Sequence, residues 1–235
     1  MKIVILGDTA LAADLLQLCA RAGHSAAPHS DSAPVDKTID VAIECCDASK
    51  AAKRRAVEAL SGAQRLYVSA LACSATEAAS WAARPAAVVG WGALPPLPND
   101  GTIEIAPALQ STPEALSLAQ RFWASLGLKT TLVADGPGLV RARVVCALVN
   151  EAATALAEGV AAPADIDTAM KLGTNYPRGP LEWGDLIGLD VVLGVMRSLQ
   201  EEFGEDRYRP APLLTRYVQA GRLGKKSGQG FFQYP

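Results

Sequence analysis

Strand and helix patterns alternate along the first 135 residues of this 235-residue chain, and then the alternation stops. Short apolar runs typical of buried strands lie at residues 3–6, 41–45, 66–71, 87–89, 102–105 and 129–133. The apolar spacing of helices fills the intervals at residues 10–22, 48–60, 75–83 and 113–126. This alternation predicts a parallel sheet with helices on its faces.

Only helical patterns follow Gly138. They lie at residues 139–158, 165–172, 180–187, 190–203 and 212–220. Glycine, proline and asparagine separate them, as expected of joints between helices. We therefore predict an α/β domain at residues 1–135 and an all-α domain at residues 136–235, with the boundary in the stretch Asp135-Gly136-Pro137-Gly138.

The charges are spread evenly, with a net charge of −2. Basic and acidic residues number 11 and 13 through Asp135, and 11 each after it, so neither half has the basic surface that nucleic acid requires. One helix, at residues 48–60, has a basic face that we expect to be solvated. This face comprises Lys50, Lys53, Arg54 and Arg55.

Features of membrane, secreted and metal-binding proteins are missing from the sequence. No apolar run approaches the ~20 residues that span a bilayer, and Met1 leads directly into a strand pattern rather than a signal peptide. Three of the five cysteines lie in apolar stretches, which favours reduced thiols. Cys45-Cys46 has no second pair at zinc-ligand spacing. We expect a cytoplasmic protein without membrane contact or a metal site.

The chain opens with a strand pattern at residues 2–6, a glycine and a helix, as a dinucleotide-binding domain does. The phosphate fingerprint of such domains is Gly-x-Gly-x-x-Gly. Here it is Gly7-x-Thr9-x-x-Ala12, in which Thr9 adds a Cβ beside the phosphates and Asp8 adds a negative charge. These changes predict a degenerate cofactor site.

The second strand of such a domain should end in an acid that binds the ribose. Its place is taken by Ser25-Ala26-Ala27-Pro28-His29-Ser30, where the proline argues against a central strand. Ser30 occupies the position of the acid, and Asp31 follows it. The residues therefore predict weak ribose recognition.

The helical half carries several motifs in a fixed order: Asn150-Glu151-Ala152, Asp165-Ile166-Asp167-Thr168-Ala169-Met170, Tyr176-Pro177-Arg178-Gly179-Pro180-Leu181-Glu182, Asp185-Leu186-Ile187-Gly188-Leu189-Asp190 and Gly224-Lys225-Lys226-Ser227-Gly228-Gln229-Gly230-Phe231-Phe232. It resembles the C-terminal domain of the 3-hydroxyacyl-CoA dehydrogenases over roughly the last hundred residues. In that family the domain makes the dimer and closes one side of the active-site cleft. The resemblance implies a homodimer, or a heterodimer with an active dehydrogenase.

The first half resembles the nucleotide domain of that family more weakly, through Asp40-Val41-Ala42-Ile43-Glu44, Lys53, Thr76-Glu77, Arg84-Pro85 and Glu104-Ile105. Relatives carry a helical excursion that grips coenzyme A, whereas only residues 31–40 fill that place here. The shortened arrangement resembles the reduced Rossmann-like module of phenylacetate-type bacterial members. The expected fold is a reduced Rossmann-like domain followed by an all-α 3-hydroxyacyl-CoA dehydrogenase C-terminal domain.

The family's catalytic groups are a histidine assisted by a glutamate, and a serine and an asparagine near the substrate oxygen. Aligned by motif, the histidine position is Gly92, the serine position is Leu71 and the asparagine position is Ala142. The glutamate alone is kept, as Glu104. The two histidines of the chain, at positions 24 and 29, fall in a turn and a loop pattern.

Two hypotheses follow. The first is a non-catalytic paralogue of fatty-acid or aromatic acyl-CoA degradation, with a structural role or weak acyl-CoA binding and no expected cofactor. Its degenerate cofactor positions are Gly7, Thr9, Ala12 and Glu44. The alternative is an active NAD-dependent dehydrogenase of 3-hydroxyacyl-CoA, such as 3-hydroxybutyryl-CoA, that uses Glu104 with Cys73 or Ser74.

Overall fold

The structure, a computed structural model, describes residues 1–7, 10–47, 49–97 and 101–235. In this part of the chain seven strands form one sheet in the order β2-β1-β3-β4-β5-β6-β7. The strands are β1 Lys2–Leu6, β2 Ser25–His29, β3 Val41–Glu44, β4 Arg65–Ser69, β5 Val88–Gly92, β6 Thr102–Pro107 and β7 Lys129–Leu132. The predicted α/β architecture is confirmed.

Nine α-helices are described. They are α1 Ala10–Arg21, α2 Lys50–Leu60, α3 Ala75–Ser80, α4 Pro113–Ser125, α5 Arg141–Ala157, α6 Pro163–Thr174, α7 Pro180–Ile187, α8 Leu189–Phe203 and α9 Pro212–Gln219. Side-chain oxygens of Ser49, Ser74 and Thr112 accept hydrogen bonds from the first turns of α2, α3 and α4, which fixes where these helices begin. None of the described helices is both long and apolar enough to cross a membrane.

One strand runs against the predicted direction. β6 is antiparallel to β5, although β7 is again parallel to β6. The connection from β5 to β6, residues 93–101, is shorter than the dozen or so residues of a parallel crossover. The expectation of a parallel sheet does not hold at this strand, because the connection is too short for a crossover helix.

The proline-containing segment after α1 also differs from expectation, since it forms a strand. β2 pairs in parallel with β1 and forms one edge of the sheet. Pro28 lies opposite Ile5 in this register. A proline has no backbone N–H to donate to a neighbouring strand, and an edge strand is the place where it is tolerated. The short segment at residues 31–40 then leads back to β3, on the other side of β1.

The chain divides into two compact units, Met1–Val140 and Arg141–Pro235. The sequence places the boundary earlier, after Asp135. Residues 136–140 belong with the sheet because Gly138 N donates to Ala70 O at 2.8 Å, and because Leu139 is buried against Ala70 and Ala106.

Two buried aspartates organise the helical unit. Asp167 accepts hydrogen bonds from the backbone N–H groups of Leu181 and Glu182, at 2.8 Å each, and so caps the start of α7. A Cβ at Gly179 would lie 2.1 Å from Asp167 Cγ. The motif Gly179-Pro180-Leu181-Glu182 thus supplies the N–H donors for the Asp167 carboxylate, and its glycine leaves room for that group.

Asp185 has the same role for the C-terminal segment. Its carboxylate accepts from Phe231 N at 2.9 Å, Phe232 N at 2.8 Å and Tyr234 Oη at 3.1 Å. A Cβ at Gly230 would lie 1.9 Å from Asp185 Oδ1. The glycine-rich end of the chain therefore wraps around this carboxylate.

Candidate functional site

A pocket of about 450 Å³ opens at the carboxyl ends of β1, β2 and β3. We call it the edge pocket. It is lined by Leu6, Gly7, His29, Ser30, Asp31, Cys46, Asp47, Ser49 and Ala52. Open parallel sheets bind their ligands at the carboxyl ends of their strands. The pocket is therefore the first candidate site of the sheet unit.

A buried charge network lies beside the edge pocket. Lys53 Nζ donates to Glu44 Oε2 at 2.7 Å, to Asp47 Oδ1 at 3.2 Å and to Cys46 O at 3.2 Å. Ser69 Oγ donates to Asp47 Oδ2 at 2.7 Å. We call Glu44, Asp47, Lys53 and Ser69 the Lys53 network. It joins the ends of β3 and β4 to the start of α2.

The expectation that Lys53 lies on a solvated basic face is wrong. Its side chain is fully buried. It shares the inner face of α2 with Ala56, Val57 and Leu60. The sequence signal for this burial is the spacing, which places a lysine on the apolar side of a helix that follows two acids, Glu44 and Asp47.

Glu44, assigned with the cofactor positions, is enclosed by protein. Its carboxylate also accepts from Cys46 N, and from Ser69 N at 3.1 Å. Burial raises the pKa of Glu44 to about 7, while the Lys53 ammonium opposes that rise. The carboxylate thus orders the strand ends, and in this arrangement it does not line the edge pocket.

Packing accounts for the small residues at two other predicted cofactor positions, Gly7 and Ala12. A Cβ at Gly7 would lie 2.7 Å from Cys45 Cβ and 2.9 Å from Cys45 O. Ala12 is buried in the core on one face of the sheet. Thr9 and Asp8 lie outside the described residues. Close contact of β1 with β3 is therefore sufficient reason for the glycine at position 7.

The segment after β2 is tied together by its own hydrogen bonds. His29 Nε2 lies 2.6 Å from Ala33 O, and Ser30 Oγ lies 2.7 Å from Ser32 Oγ. Asp31 Oδ2 pairs with Arg55 Nε at 3.1 Å. Asp31 therefore presents a carboxylate to the edge pocket next to Ser30, the expected ribose position.

The described lining of the edge pocket offers no basic side chain to the pyrophosphate of a dinucleotide. It contains two carboxylates, those of Asp31 and Asp47, and neither lysine nor arginine. Phosphates are normally met by basic side chains or by unopposed backbone N–H groups at a helix start. The described part of the pocket lining is therefore acidic rather than basic.

The catalytic positions of the first unit come together between β5 and β6. Glu104 on β6 lies directly opposite Gly92 on β5. Glu104 is buried, and its Oε2 accepts from Val140 N at 3.3 Å. The carboxylate predicted to assist a catalytic histidine therefore lies opposite a glycine.

Leucines fill the space beside this glycine. A Cβ at Gly92 would lie 2.8 Å from Leu139 Cδ1 and 3.3 Å from Leu71 Cδ2. Both leucines are buried. Leu71, at the predicted serine position, thus lies next to Gly92, the predicted histidine position, and the contact between them is apolar. Ala142, at the asparagine position, is buried in α5 of the helical unit.

The remaining candidate groups have other roles. His24 lies near Ser125, with Nε2 and Oγ 3.2 Å apart. Burial raises the pKa of the Cys73 thiol to about 12, and Ser74 Oγ accepts from Glu77 N at the start of α3. The substitutes considered for the missing catalytic groups are thus an unreactive thiol and a helix cap.

Comparison with known proteins places the chain in one family. Residues 138–234 match the family model described as 3-hydroxyacyl-CoA dehydrogenase, C-terminal domain. A 3-hydroxybutyryl-CoA dehydrogenase of Clostridioides difficile is 34% identical over 206 residues, which cover 88% of this chain and 73% of that protein.

A probable 3-hydroxybutyryl-CoA dehydrogenase of Deinococcus radiodurans is 41% identical over 159 residues, 68% of this chain and 57% of that protein. The chain thus spans little more than half of that relative. The crystal structure of (S)-3-hydroxybutyryl-CoA dehydrogenase from Ralstonia eutropha superposes with a TM-score of 0.80 at 26% identity, covering 100% of this chain and 99% of that chain. The chain belongs to the 3-hydroxyacyl-CoA dehydrogenase family.

Proposed function

We propose that this chain acts in short-chain 3-hydroxyacyl-CoA metabolism and that it does not carry out the dehydrogenase reaction on its own. The names of its relatives support the first part, since they are 3-hydroxybutyryl-CoA dehydrogenases. The second part depends on one observation, the leucine packing at Gly92. In this proposal the chain serves as a structural partner of another protein or binds the acyl thioester weakly.

The packing matters because oxidation of a secondary alcohol needs a base for the hydroxyl proton and donors for the oxyanion. General-base catalysis supplies about 10²–10⁴-fold in rate, and a single oxyanion donor about 10²–10³-fold. At Gly92 and Leu71 the chain lacks both. A Glu104 carboxylate that faces Gly92 cannot replace all of these contributions.

We propose that the partner is a second copy of the chain or an active dehydrogenase, joined through the helical unit. Helix α6 supports this proposal, because only Asp167 of its residues is buried. Leu172 on this helix is 82% exposed, and Val160 just before it is 70% exposed. Large exposed apolar side chains at the two ends of a weakly buried helix are compatible with an interaction surface.

Calorimetric titration tests the proposal. Acetoacetyl-CoA and NADH are titrated separately into the purified chain. We expect weak binding of acetoacetyl-CoA and no binding of NADH at micromolar concentrations. Micromolar NADH binding together with oxidation of NADH by acetoacetyl-CoA would contradict the proposal.

The second candidate function is an NAD-dependent 3-hydroxybutyryl-CoA dehydrogenase with a non-standard site. The names of the relatives speak for it more directly than for the first candidate. Glu104, as the titratable side chain kept at a catalytic position, would then hold the proton of the substrate hydroxyl. Loss of a measured activity in Glu104→Gln, with an unchanged melting temperature, would establish this candidate.

A further inference from the structure

A second pocket, of about 400 Å³, lies at the amino ends of β4 and β5. We call it the amino-end pocket. We propose that it binds a small monocarboxylate with an apolar body, such as a medium-chain fatty acid. The inference does not depend on the proposed function, because none of the described residues at the predicted cofactor and catalytic positions lines this pocket.

Three segments form the walls of the amino-end pocket. Gln64 and Arg65 lie at the start of β4, residues 84–87 lead into β5, and residues 112–118 include the first turns of α4. β4 and β5 are parallel neighbours, so the pocket lies at the opposite end of the sheet from Gly92, the last residue of β5. Its volume is within the ~300–1,000 Å³ of small-molecule sites.

Apolar side chains supply half of the lining residues. They are Pro85, Ala86, Ala87, Ala115 and Leu118. A hydrocarbon body that covers them removes apolar surface from water, which is favourable in proportion to the area covered. The lining therefore favours a ligand with an apolar body over a small inorganic ion.

Two arginines line the same pocket. Arg65 Nε donates to Asp40 O at 3.1 Å, and Arg84 Nη2 donates to Ala63 O. Neither guanidinium forms an ion pair with a carboxylate of the described residues. A guanidinium has five N–H donors, so both arginines retain donors whose fork geometry matches a carboxylate.

The charges of the lining match an anion with one negative charge. Glu114 is the acid among the lining residues, and it is exposed. Two guanidinium groups and one carboxylate leave the lining one positive charge. The nearby Asp40 does not cancel this charge at the arginines, because its carboxylate accepts from Lys2 N at 2.8 Å.

A buried hydroxyl lies beside Arg65. Tyr67 follows Arg65 by two residues on β4, so the two side chains lie on the same face of the strand. Burial raises the pKa of Tyr67 to about 12, and the nearby Arg65 guanidinium opposes that rise. The proton of Tyr67 Oη has no acceptor among the described residues. Because a buried donor without an acceptor is unfavourable, a carboxylate held by Arg65 would supply an acceptor on that side of the strand.

Calorimetric titration with four probes tests the inference: octanoate, octanol, acetate and inorganic phosphate. We expect octanoate to bind at least tenfold more tightly than each of the others. Octanol lacks the charge that hydrogen-bonds to arginine, while acetate and phosphate lack the apolar body. The inference fails if octanoate shows no saturable binding, or if another probe binds as tightly as octanoate.

Substitutions separate the lining charges from general effects of charge. Arg84→Gln should weaken octanoate binding about tenfold, because it removes one charged donor. Arg54→Gln is the control, since Arg54 is an exposed arginine that pairs with Glu58 and does not line the pocket; it should change the affinity by less than about twofold. Equal effects of the two substitutions would overturn the inference.

A gain of affinity provides a test that loss of folding cannot imitate. Glu114→Gln should tighten octanoate binding about two- to threefold, because it removes a like charge at a solvated site. Octanol binding should not change in this variant. Unchanged or weaker binding of octanoate would contradict the proposed charge balance.

The wild-type chain provides a test without substitutions. Arg84 and Arg54 are both exposed, so phenylglyoxal should modify both. Saturating octanoate should slow the modification of Arg84 at least several-fold and leave that of Arg54 unchanged, as read by peptide mass spectrometry. Equal protection of the two arginines, or of neither, would contradict the site. Failure to bind octanoate leaves the proposed function standing, whereas oxidation of NADH by acetoacetyl-CoA would refute that function without bearing on this pocket.

Discussion

At the scale of single residues, two places in the sheet unit differ in polarity: the surroundings of Gly92 are apolar, and those of Lys53 are charged. At Gly92, the predicted position of the catalytic histidine, the neighbouring side chains are those of Leu71 and Leu139. Beside the edge pocket, Lys53 is instead held by Glu44 and Asp47 in full burial. Buried charges are stable only when they are paired and hydrogen-bonded. The Lys53 network therefore makes strong predictions for substitutions.

Lys53→Met should lower the free energy of unfolding by about 3–5 kcal/mol, because it leaves two buried carboxylates without their cation. Urea denaturation measures the change. Lys50→Met is the control, since Lys50 forms a half-exposed pair with Glu77, and it should change stability by less than about 1 kcal/mol. Similar losses in the two variants would contradict the role of the network.

The cost of Lys53→Met should grow with pH. Burial raises the pKa of Glu44 above its usual 4.5, and Lys53 holds it down. Without the lysine the folded state keeps a proton that the unfolded chain releases as pH rises above about 4.5. Wild-type Glu44 already has a pKa of about 7, so both proteins lose this contribution alike below that pH, and the stability of the variant falls relative to wild type above about pH 7. A cost that is independent of pH would refute this linkage.

Thiol reactivity tests burial directly. Burial raises the pKa of Cys19 to about 11 and that of Cys146 to about 12, and holds the thiol of Cys45 well above its usual pKa. The thiolate is the reactive form, so we expect only Cys46 to be alkylated in the native protein at pH 8. Peptide mass spectrometry after iodoacetamide treatment reads this out. Rapid labelling of Cys73 or Cys146 would contradict the described burial.

At the scale of elements, the sequence predicts which segments are helices and strands better than how they are arranged. The apolar runs locate β1, β3 and β4, because these strands are buried on both faces. The reversal of β6 is set by a short connection rather than by its own residues. The edge position of β2 depends on the pairing of β3 with the other side of β1. A local sequence pattern does not contain that information.

For the candidate site, the sequence likewise predicts which residues occupy the positions but not how their surroundings pack. Motif spacing alone assigns Gly92, Leu71 and Glu104 to the family's catalytic positions. The filling of the histidine position also needs Leu139, whose backbone φ of 48° follows from a turn that no local pattern shows. The burial of Lys53 is open to prediction from helix periodicity, but its basic neighbours, such as Arg54, obscure it.

The start of α7 tests the motif arranged around Asp167. Gly179→Ala should destabilise the helical unit by about 1–3 kcal/mol, since its Cβ would collide with the Asp167 carboxylate that caps the helix. Gly173→Ala is the matched control, because a Cβ there meets nothing within 4 Å. A glycine inside a helix costs roughly 0.5–1 kcal/mol relative to alanine, so this control should raise the melting temperature. A stabilising Gly179→Ala would overturn the account of the motif.

At the scale of the whole molecule, the chain combines a reduced sheet unit with a helical unit that matches its family closely. The two are described as compact units in their own right. The family motifs of the helical unit surround Asp167 and Asp185, which are structural carboxylates. A sequence match carried by such residues therefore specifies a fold, whereas the predicted catalytic positions Gly92 and Leu71 bear on chemistry.

Self-association should depend on α6. We predict that the purified chain has twice the monomer mass in light scattering, and that Leu172→Glu shifts it to monomer, because a charge at the centre of an apolar interface is unfavourable. Leu109→Glu is the control, since Leu109 is likewise exposed but lies in the sheet unit. A monomeric wild type without a bound dehydrogenase, or dissociation by Leu109→Glu alone, would refute the proposed interface.

The most direct test of the central claim is a single-turnover experiment with the wild-type chain in excess over acetoacetyl-CoA and NADH, followed by NADH absorbance. Because glycine and leucine stand at the predicted positions of the catalytic histidine and serine, Gly92 and Leu71, we predict no oxidation of NADH above the rate without protein. Stoichiometric oxidation of NADH, with 3-hydroxybutyryl-CoA as product, would contradict the account.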